Sequence, residues 1–301
     1  MSLVHFQFES QCLCNNTDVT VILPDKPRDI SPAEFYASGK KYRVLWLLHG
    51  TFGDYSDWLR KSNIELYACE RDLIVVMPSA LNAMYENWSN FCLGYQSFNY
   101  LFDELMPLVY NWFPASDKPC DNFIAGLSMG GRGALRYALA HPEKFGGVAS
   151  MSYIPLDFDD PENAANLKRV AALDRRELES HAGTCEGEFS QGATDLRQRN
   201  DMDKWGGMEA YLASPENLWP HMTDFAKLEN APKLYLCCGT DDPLMYTNGD
   251  YDKFLAYLES LGIDFAHSEG PGAHEWRVWD RDIQLVLDSF GIHNESRGNA
   301  F

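Results

Sequence analysis

The sequence predicts an α/β fold: a mostly parallel central sheet with helices on both faces and one inserted cap region. Two observations predict it. Short apolar runs alternate with stretches of helical composition along most of the 301 residues, and such alternation builds a sheet covered on both sides. Three of the runs also pass directly into glycine-rich turns, at the carboxyl ends of strands where open α/β sheets place their chemistry. The length is large for one domain but within the range of α/β folds. No internal repeat or low-complexity linker divides the chain.

Taken in order, Val4–Leu13 and Asp18–Leu23 read as an antiparallel hairpin around Asn15-Asn16, followed by a proline-rich connection from Pro24 to Pro32. Val44–Leu48 is a strand, Ser62–Glu70 a helix, Leu73–Met77 a strand and Tyr100–Trp112 a helix. Asn122–Ala125 forms the next strand, Gly131–Ala140 a helix closed by His141-Pro142, and Gly147–Met151 another strand. After an irregular insertion come the strand Lys233–Cys238, the helix Asp250–Leu261, a strand near Phe265 and a last helix over Trp276–Phe290. Asn294–Phe301 reads as a frayed tail. The insertion, about 154–219, is the expected cap. Asp157, Asp159, Asp160 and Glu162 crowd its start, Lys168, Arg169, Arg175 and Arg176 follow on a helical stretch, and Gly183, Gly187, Gly192, Gly206 and Gly207 mark a tract able to gate entry. The charges lack the glycine and terminal glutamate of a calcium loop, so a solvated surface is expected rather than a metal site.

The most informative residues are Gly126-Leu127-Ser128-Met129-Gly130. Five such residues recur by chance, but here a buried strand precedes them and a proline-free helix follows. Strand, sharp turn and helix push a serine onto a strained tip with its hydroxyl exposed. A serine needs a base, and the base needs an orienting acid. Both follow in order. Lys233–Cys238 runs into Gly239-Thr240-Asp241-Asp242-Pro243, and the strand near Phe265 runs into Gly270-Pro271-Gly272-Ala273-His274. Asp242, further past the turn, is preferred to Asp241 as the acid; His274 on its loop is preferred to His267, expected as a half-buried strand residue. No histidine follows His274-Glu275 at zinc-ligand spacing, where Val278 stands, so no metal is expected there. The strand Arg43–Leu48 ends in His49-Gly50-Thr51-Phe52-Gly53. In this arrangement the oxyanion is held by the amide after the nucleophile, Met129, and by one from this loop. Thr51 is the expected donor, Phe52 the next choice, and His49 a brace for the loop.

Leu47-Leu48-His49-Gly50, Ile74-Val75-Val76-Met77-Pro78, Phe123 to Gly131, and Ala273-His274-Glu275-Trp276 closely resemble the bacterial tributyrin and acetyl esterases. Those are serine α/β-hydrolases related to esterase D, S-formylglutathione hydrolase and the feruloyl esterases. Trp58 to Glu65 also resembles the family's segment after the oxyanion loop, and the likeness runs in order from about residue 5 to 290. It implies the α/β-hydrolase fold and hydrolysis of short acyl esters, acetyl to butyryl, with acetylated sugars among the substrates it suggests. The stretch from about Ile154 to Gly207 departs from the family, longer and more acidic, which leaves substrate choice the least secured part. A thioesterase like S-formylglutathione hydrolase, a feruloyl esterase or an acyltransferase would use the same triad. A non-catalytic binding protein on this fold is expected to have lost a triad member, and none is missing.

Composition narrows the classes further. Lys and Arg number 25 against 44 Asp and Glu, a net charge of −19. Nucleic-acid binding depends on clustered cations, as does adhesion to anionic membranes, so neither partner is expected. The start, Met1 to Glu9, has neither a basic end nor an apolar core, and no run reaches transmembrane length, so no leader or span is expected. The eight cysteines show no framework spacing, which points to reduced thiols and a cytoplasmic address. The mechanism needs no cofactor, and association into a homo-oligomer is left open. Tyr85, Trp88, Phe91, Tyr95 and Phe98 cluster on the loop after Pro78. Aromatics so placed make a pocket wall, and Phe52, Trp88 and Tyr95 are the expected substrate-contacting residues.

Overall fold

The computed structural model describes residues 2–180, 191–246 and 250–294. These form two compact units, one from Met1–Ile154 with Met222–Phe301, the other from Pro155–His221.

In the first unit an eight-stranded sheet carries the fold. Its strands are β1 (Ser2–Ser10), β2 (Asn15–Leu23), β3 (Val44–Leu48), β4 (Ile74–Pro78), β7 (Asn122–Leu127), β8 (Gly147–Met151), β9 (Lys233–Gly239) and β10 (Phe265–Gly270); β5 (Asn87–Trp88) and β6 (Tyr95–Gln96) form a separate small hairpin. The order is β1-β2-β4-β3-β7-β8-β9-β10. β1–β2 and β2–β4 pair antiparallel, and every pair from β4–β3 to β9–β10 is parallel. Every residue of β3, β4, β7 and β8 is buried. Strands covered on both faces need continuous apolar runs rather than alternation. β1, at the edge, alternates instead.

The helices of this unit are α1 (Pro32–Ala37), α2 (Asp57–Lys61), α3 (Ile64–Cys69), α4 (Ser97–Asn99), α5 (Met106–Trp112) and α6 (Met129–Ala140). Further along come α12 (Pro243–Tyr246), α13 (Asp250–Ser260) and α14 (Trp276–Ser289). α14 buries Val278, Trp279, Ile283, Val286 and Leu287 in one cluster with Leu45, Leu47, Val75 and Trp58. Each such fully buried aliphatic contributes about 1.5–3 kcal/mol relative to exposure.

Three expectations need correction. The first hairpin turns at Gln11–Cys14, earlier than Asn15-Asn16. The Glu104 carboxylate accepts from Ser10 Oγ at 2.5 Å, Gln11 N at 2.7 Å and Cys12 N at 2.9 Å, a partner some ninety residues away overriding local turn preference. The expected helix over Tyr100–Trp112 is a π-helical turn at Tyr100–Leu105 followed by α5. The helix is continuous, and Pro107 accounts for the wider turn, since it offers no N–H to the preceding turn and its ring crowds the carbonyl four residues back. Finally, His267 is exposed on edge strand β10 rather than half-buried, 3.9 Å from Glu269.

The second unit is helical: α7 (Pro161–Ala172), α8 (Arg175–Glu179), α9 (Gln191–Trp205) and α10 (Met208–Leu212), with α11 (Leu218–Phe225) next in the chain. Leu167, Val170, Met202 and Tyr211 form its core. Asp160 caps α7 by accepting from the amides of Glu162 and Asn163, as an aspartate before Pro-Glu should. Arg169 is not merely solvated: it grips the buried Asp195 through two bonds of 2.7 and 2.6 Å. Gly206 and Gly207 adopt positive φ, whereas Gly183, Gly187 and the tail from residue 295 lie outside the described residues.

Candidate active site

Ser128 stands between β7 and α6 with φ 52° and ψ −118°. A non-glycine residue held there costs on the order of 1–3 kcal/mol, a strain that persists only where surrounding structure enforces it. The enforcement is visible. The Ser128 amide donates to the Met151 carbonyl of β8 at 2.8 Å. A Cβ on Gly126 would stand 2.3 Å from both the carbonyl carbon and oxygen of Gly130, and one on Gly130 would stand 2.5 Å from the Leu48 carbonyl oxygen. Both glycines of the motif are thus required by backbone packed against backbone.

Asp242 follows β9 and is wholly buried, while Asp241 is exposed. The Asp242 carboxylate accepts from the Leu244 amide at 3.0 Å through Oδ1 and from His274 Nδ1 at 2.8 Å through Oδ2. A carboxylate can only accept, so Nδ1 carries the ring proton and Nε2 keeps its lone pair. Backbone bonds tie the acid and histidine loops together: Thr240 N to Gly270 O at 2.8 Å and Asp241 N to Gly272 O at 2.9 Å. The Arg281 guanidinium donates to the Pro271 carbonyl at 2.8 Å. Trp279 meets the His274 ring edge-on, with centroids 5.0 Å apart, and its indole N–H donates to Ser152 Oγ at 3.0 Å. The structure therefore joins Asp242 to His274. The Ser128 hydroxyl makes no hydrogen bond among the described residues, a contact that is often long in free enzymes and tightens with substrate.

The loop after β3 is braced from three directions. The Ala80 amide donates to His49 Nε2 at 3.0 Å, so Nδ1 must carry the proton, and it reaches the Gly50 carbonyl at 2.7 Å. Burial pushes the His49 pKa below its usual value, keeping the ring neutral and unsuited to act as a solvent-coupled base. Tyr85 OH donates to the His49 carbonyl at 3.0 Å and Trp58 Nε1 to the Leu48 carbonyl at 3.0 Å. Gly53 N closes a turn onto the Gly50 carbonyl at 3.1 Å, with Thr51 and Phe52 at its centre. Phe52 adopts φ 62° and gives its amide to Asn82 Oδ1 at 2.8 Å. Met129, at the start of α6, carries one of the amides that a helix's first turn leaves unpaired.

Of the expected wall residues, Phe52 is 72% exposed. Trp88 is half-buried, its indole N–H on the Ala83 carbonyl at 2.8 Å. Tyr95 is buried in the β5–β6 hairpin at 4% exposure. Asn82, Ser152, Trp279 and Arg281 were not foreseen, because their roles depend on residues distant in sequence and no local motif marks them. Among the described residues no group of three or more His, Cys, Asp or Glu is placed to hold a metal ion. None of the described helices is long and apolar enough to cross a membrane.

The chain is 27% identical over 292 residues to an acetyl esterase of Caldicellulosiruptor saccharolyticus, covering 96% of this chain and 97% of that one. A substrate-bound structure of FphF, a fluorophosphonate-binding serine hydrolase of Staphylococcus aureus, superposes with a TM-score of 0.70 at 26% identity, covering 97% of this chain and 98% of the other. The apo S-formylglutathione hydrolase FrmB of the same organism shares the fold, with a TM-score of 0.68 at 24% identity over 97% and 99% of the two chains. The family model described as "Putative esterase" matches residues 10–284. That span holds nearly every element described above, and the chain belongs to this esterase family, a carboxylic ester hydrolase on the α/β-hydrolase fold.

Proposed function

We propose that the protein hydrolyses short-chain acyl esters, acetyl to butyryl, through a Ser128–His274–Asp242 triad and an acyl-enzyme. The observation that carries this reading is the buried Asp242 holding His274 Nδ1 at 2.8 Å, in the same unit as a serine strained at its elbow. His274 Nε2 takes the Ser128 proton as the hydroxyl attacks the ester carbonyl. The resulting oxyanion rests on the amides of Met129 and Thr51; the alternative donor, the Phe52 amide, is already given to Asn82. His274 then protonates the leaving alcohol, and a water deprotonated by the same nitrogen releases the acid. No cofactor enters these steps. Of the expected wall residues, Phe52 and Trp88 keep exposed surface for an acyl or alcohol group.

The acyl preference is supported by the similarity to an acetyl esterase, and acetylated sugars are the first alcohol class to test. Free thiols exposed at Cys14, Cys92 and Cys120 support a cytoplasmic address.

The test is a panel of p-nitrophenyl acetate, butyrate and octanoate, a feruloyl ester and S-formylglutathione, with Ser128→Ala as control. Highest kcat/KM on acetate or butyrate, lost in the variant, is the expected result. Preference for the thioester or the feruloyl ester would replace the substrate class. Substantial turnover by a clean Ser128→Ala preparation would overturn the triad itself.

A further inference from the structure

Thr51 carries two polar groups that the fold leaves unused. In the Gly50–Gly53 turn the closing bond runs between the outer residues, and the Phe52 amide is taken by Asn82. The Thr51 amide finds no acceptor among the described residues, and its Oγ1 is buried with no hydrogen-bond partner. Leaving a buried hydroxyl unpaired is costly, and such exceptions in native folds call for an explanation. Position supplies one. A Cβ on Gly50 would stand 3.5 Å from Ser128 Cβ and 3.5 Å from the Leu127 carbonyl oxygen, so the residue before Thr51 lies directly against the elbow.

We propose that the Thr51 hydroxyl is a third oxyanion donor, beside the amides of Met129 and Thr51; this rests on the Ser128 reading above. As Ser128 Oγ bonds to the carbonyl carbon, its proton passes to His274 Nε2 and the carbonyl π pair moves onto oxygen. That oxygen then accepts Met129 N–H, Thr51 N–H and Thr51 Oγ1–H. Collapse of the intermediate returns the pair to the carbonyl and expels the alcohol, which takes the proton from His274. The neutral ester carbonyl is the weaker acceptor, so the hydroxyl contributes most when charge has developed, which raises kcat rather than lowering KM. Threonine suits the task because branching at Cβ restricts χ1 and holds the hydroxyl in place.

The experiment compares Thr51→Val, Thr51→Ser and Ser128→Ala in p-nitrophenyl acetate kinetics, with urea unfolding of each variant. Valine keeps the shape and the amide and removes only the hydroxyl. Thr51→Val should lower kcat about a hundredfold with little change in KM, while its unfolding midpoint stays level or rises. Thr51→Ser should restore most of kcat. A merely structural hydroxyl would instead lose stability and rate together in Thr51→Val. That result, or kcat within about twofold of the parent while Ser128→Ala is inactive, overturns the proposal and leaves the triad standing. Activity retained by Ser128→Ala overturns both.

Discussion

The acid of the proposed triad, Asp242, gives the most decisive perturbation. Asp242→Asn keeps the size of a side chain with no exposed surface. The amide oxygen can still accept from the Leu244 amide, as Oδ1 does at 3.0 Å, which turns the NH2 group toward His274 Nδ1. A donor facing Nδ1 forces that nitrogen to accept, moves the ring proton to Nε2 and removes the lone pair that must take the Ser128 proton. In serine hydrolases this wrong tautomer lowers kcat about ten-thousandfold, which at 1.36 kcal/mol per decade is roughly 5.5 kcal/mol of transition-state stabilisation. The folding cost is smaller. One charge-assisted bond of 2.8 Å becomes a neutral one, a loss of about 1 kcal/mol. Activity should therefore collapse while the protein stays folded. kcat/KM on p-nitrophenyl acetate and a urea midpoint for Asp242→Asn measure the two quantities separately. Asp241→Asn serves as the control, expected within about twofold of the parent because that side chain is exposed. Retention by Asp242→Asn of more than about a tenth of the parent activity, one decade or less, would refute the assignment, as would an equal loss in Asp241→Asn.

The elbow and its neighbouring loop give two more expectations. Gly126→Ala places a methyl 2.3 Å from the Gly130 carbonyl atoms, and because both sides are backbone, relief requires moving the start of α6. The expected cost is about 3 kcal/mol or more, read as a lower unfolding midpoint together with lost turnover; a variant as stable and active as the parent would contradict the packing argument. His49 gives a pH dependence. Its folded pKa is lowered by burial, so below about pH 6.5, the ordinary histidine value, the unfolded chain binds a proton that the folded one refuses. Stability should therefore fall as the pH drops through that value and be indifferent to this group above it. His49→Asn, which can keep a donor toward Gly50, should flatten the acid side of a plot of urea midpoint against pH, and an unchanged slope would show that another group is responsible.

The parallel sheet was legible because β3, β4, β7 and β8 are covered on both faces, and strands so covered leave runs such as Val-Leu-Trp-Leu-Leu in the sequence. The positions of Ser128, Asp242 and His274 were legible for a related reason. Each lies where an apolar run meets glycine or aspartate, since a backbone leaving a buried strand must turn sharply, and turning sharply restricts residue type. The preference for Asp242 over Asp241 rested on a single residue's distance past the turn, and burial adds what spacing could not: one side chain is sealed against His274, the other lies in solvent. Where the first hairpin turns was decided by Glu104, and the π-helical turn before α5 by the N–H that Pro107 lacks. Which amides of the loop after β3 are spent depends on Asn82, and how His274 is held depends on Trp279, Ser152 and Arg281. Local pattern thus determined the strands, the elbow and the order of the catalytic candidates, because those follow from burial and turn geometry along a few consecutive residues. Hydrogen-bond partners and exposure were decided only in the tertiary structure, because each depends on residues that folding alone brings within about 3 Å of one another.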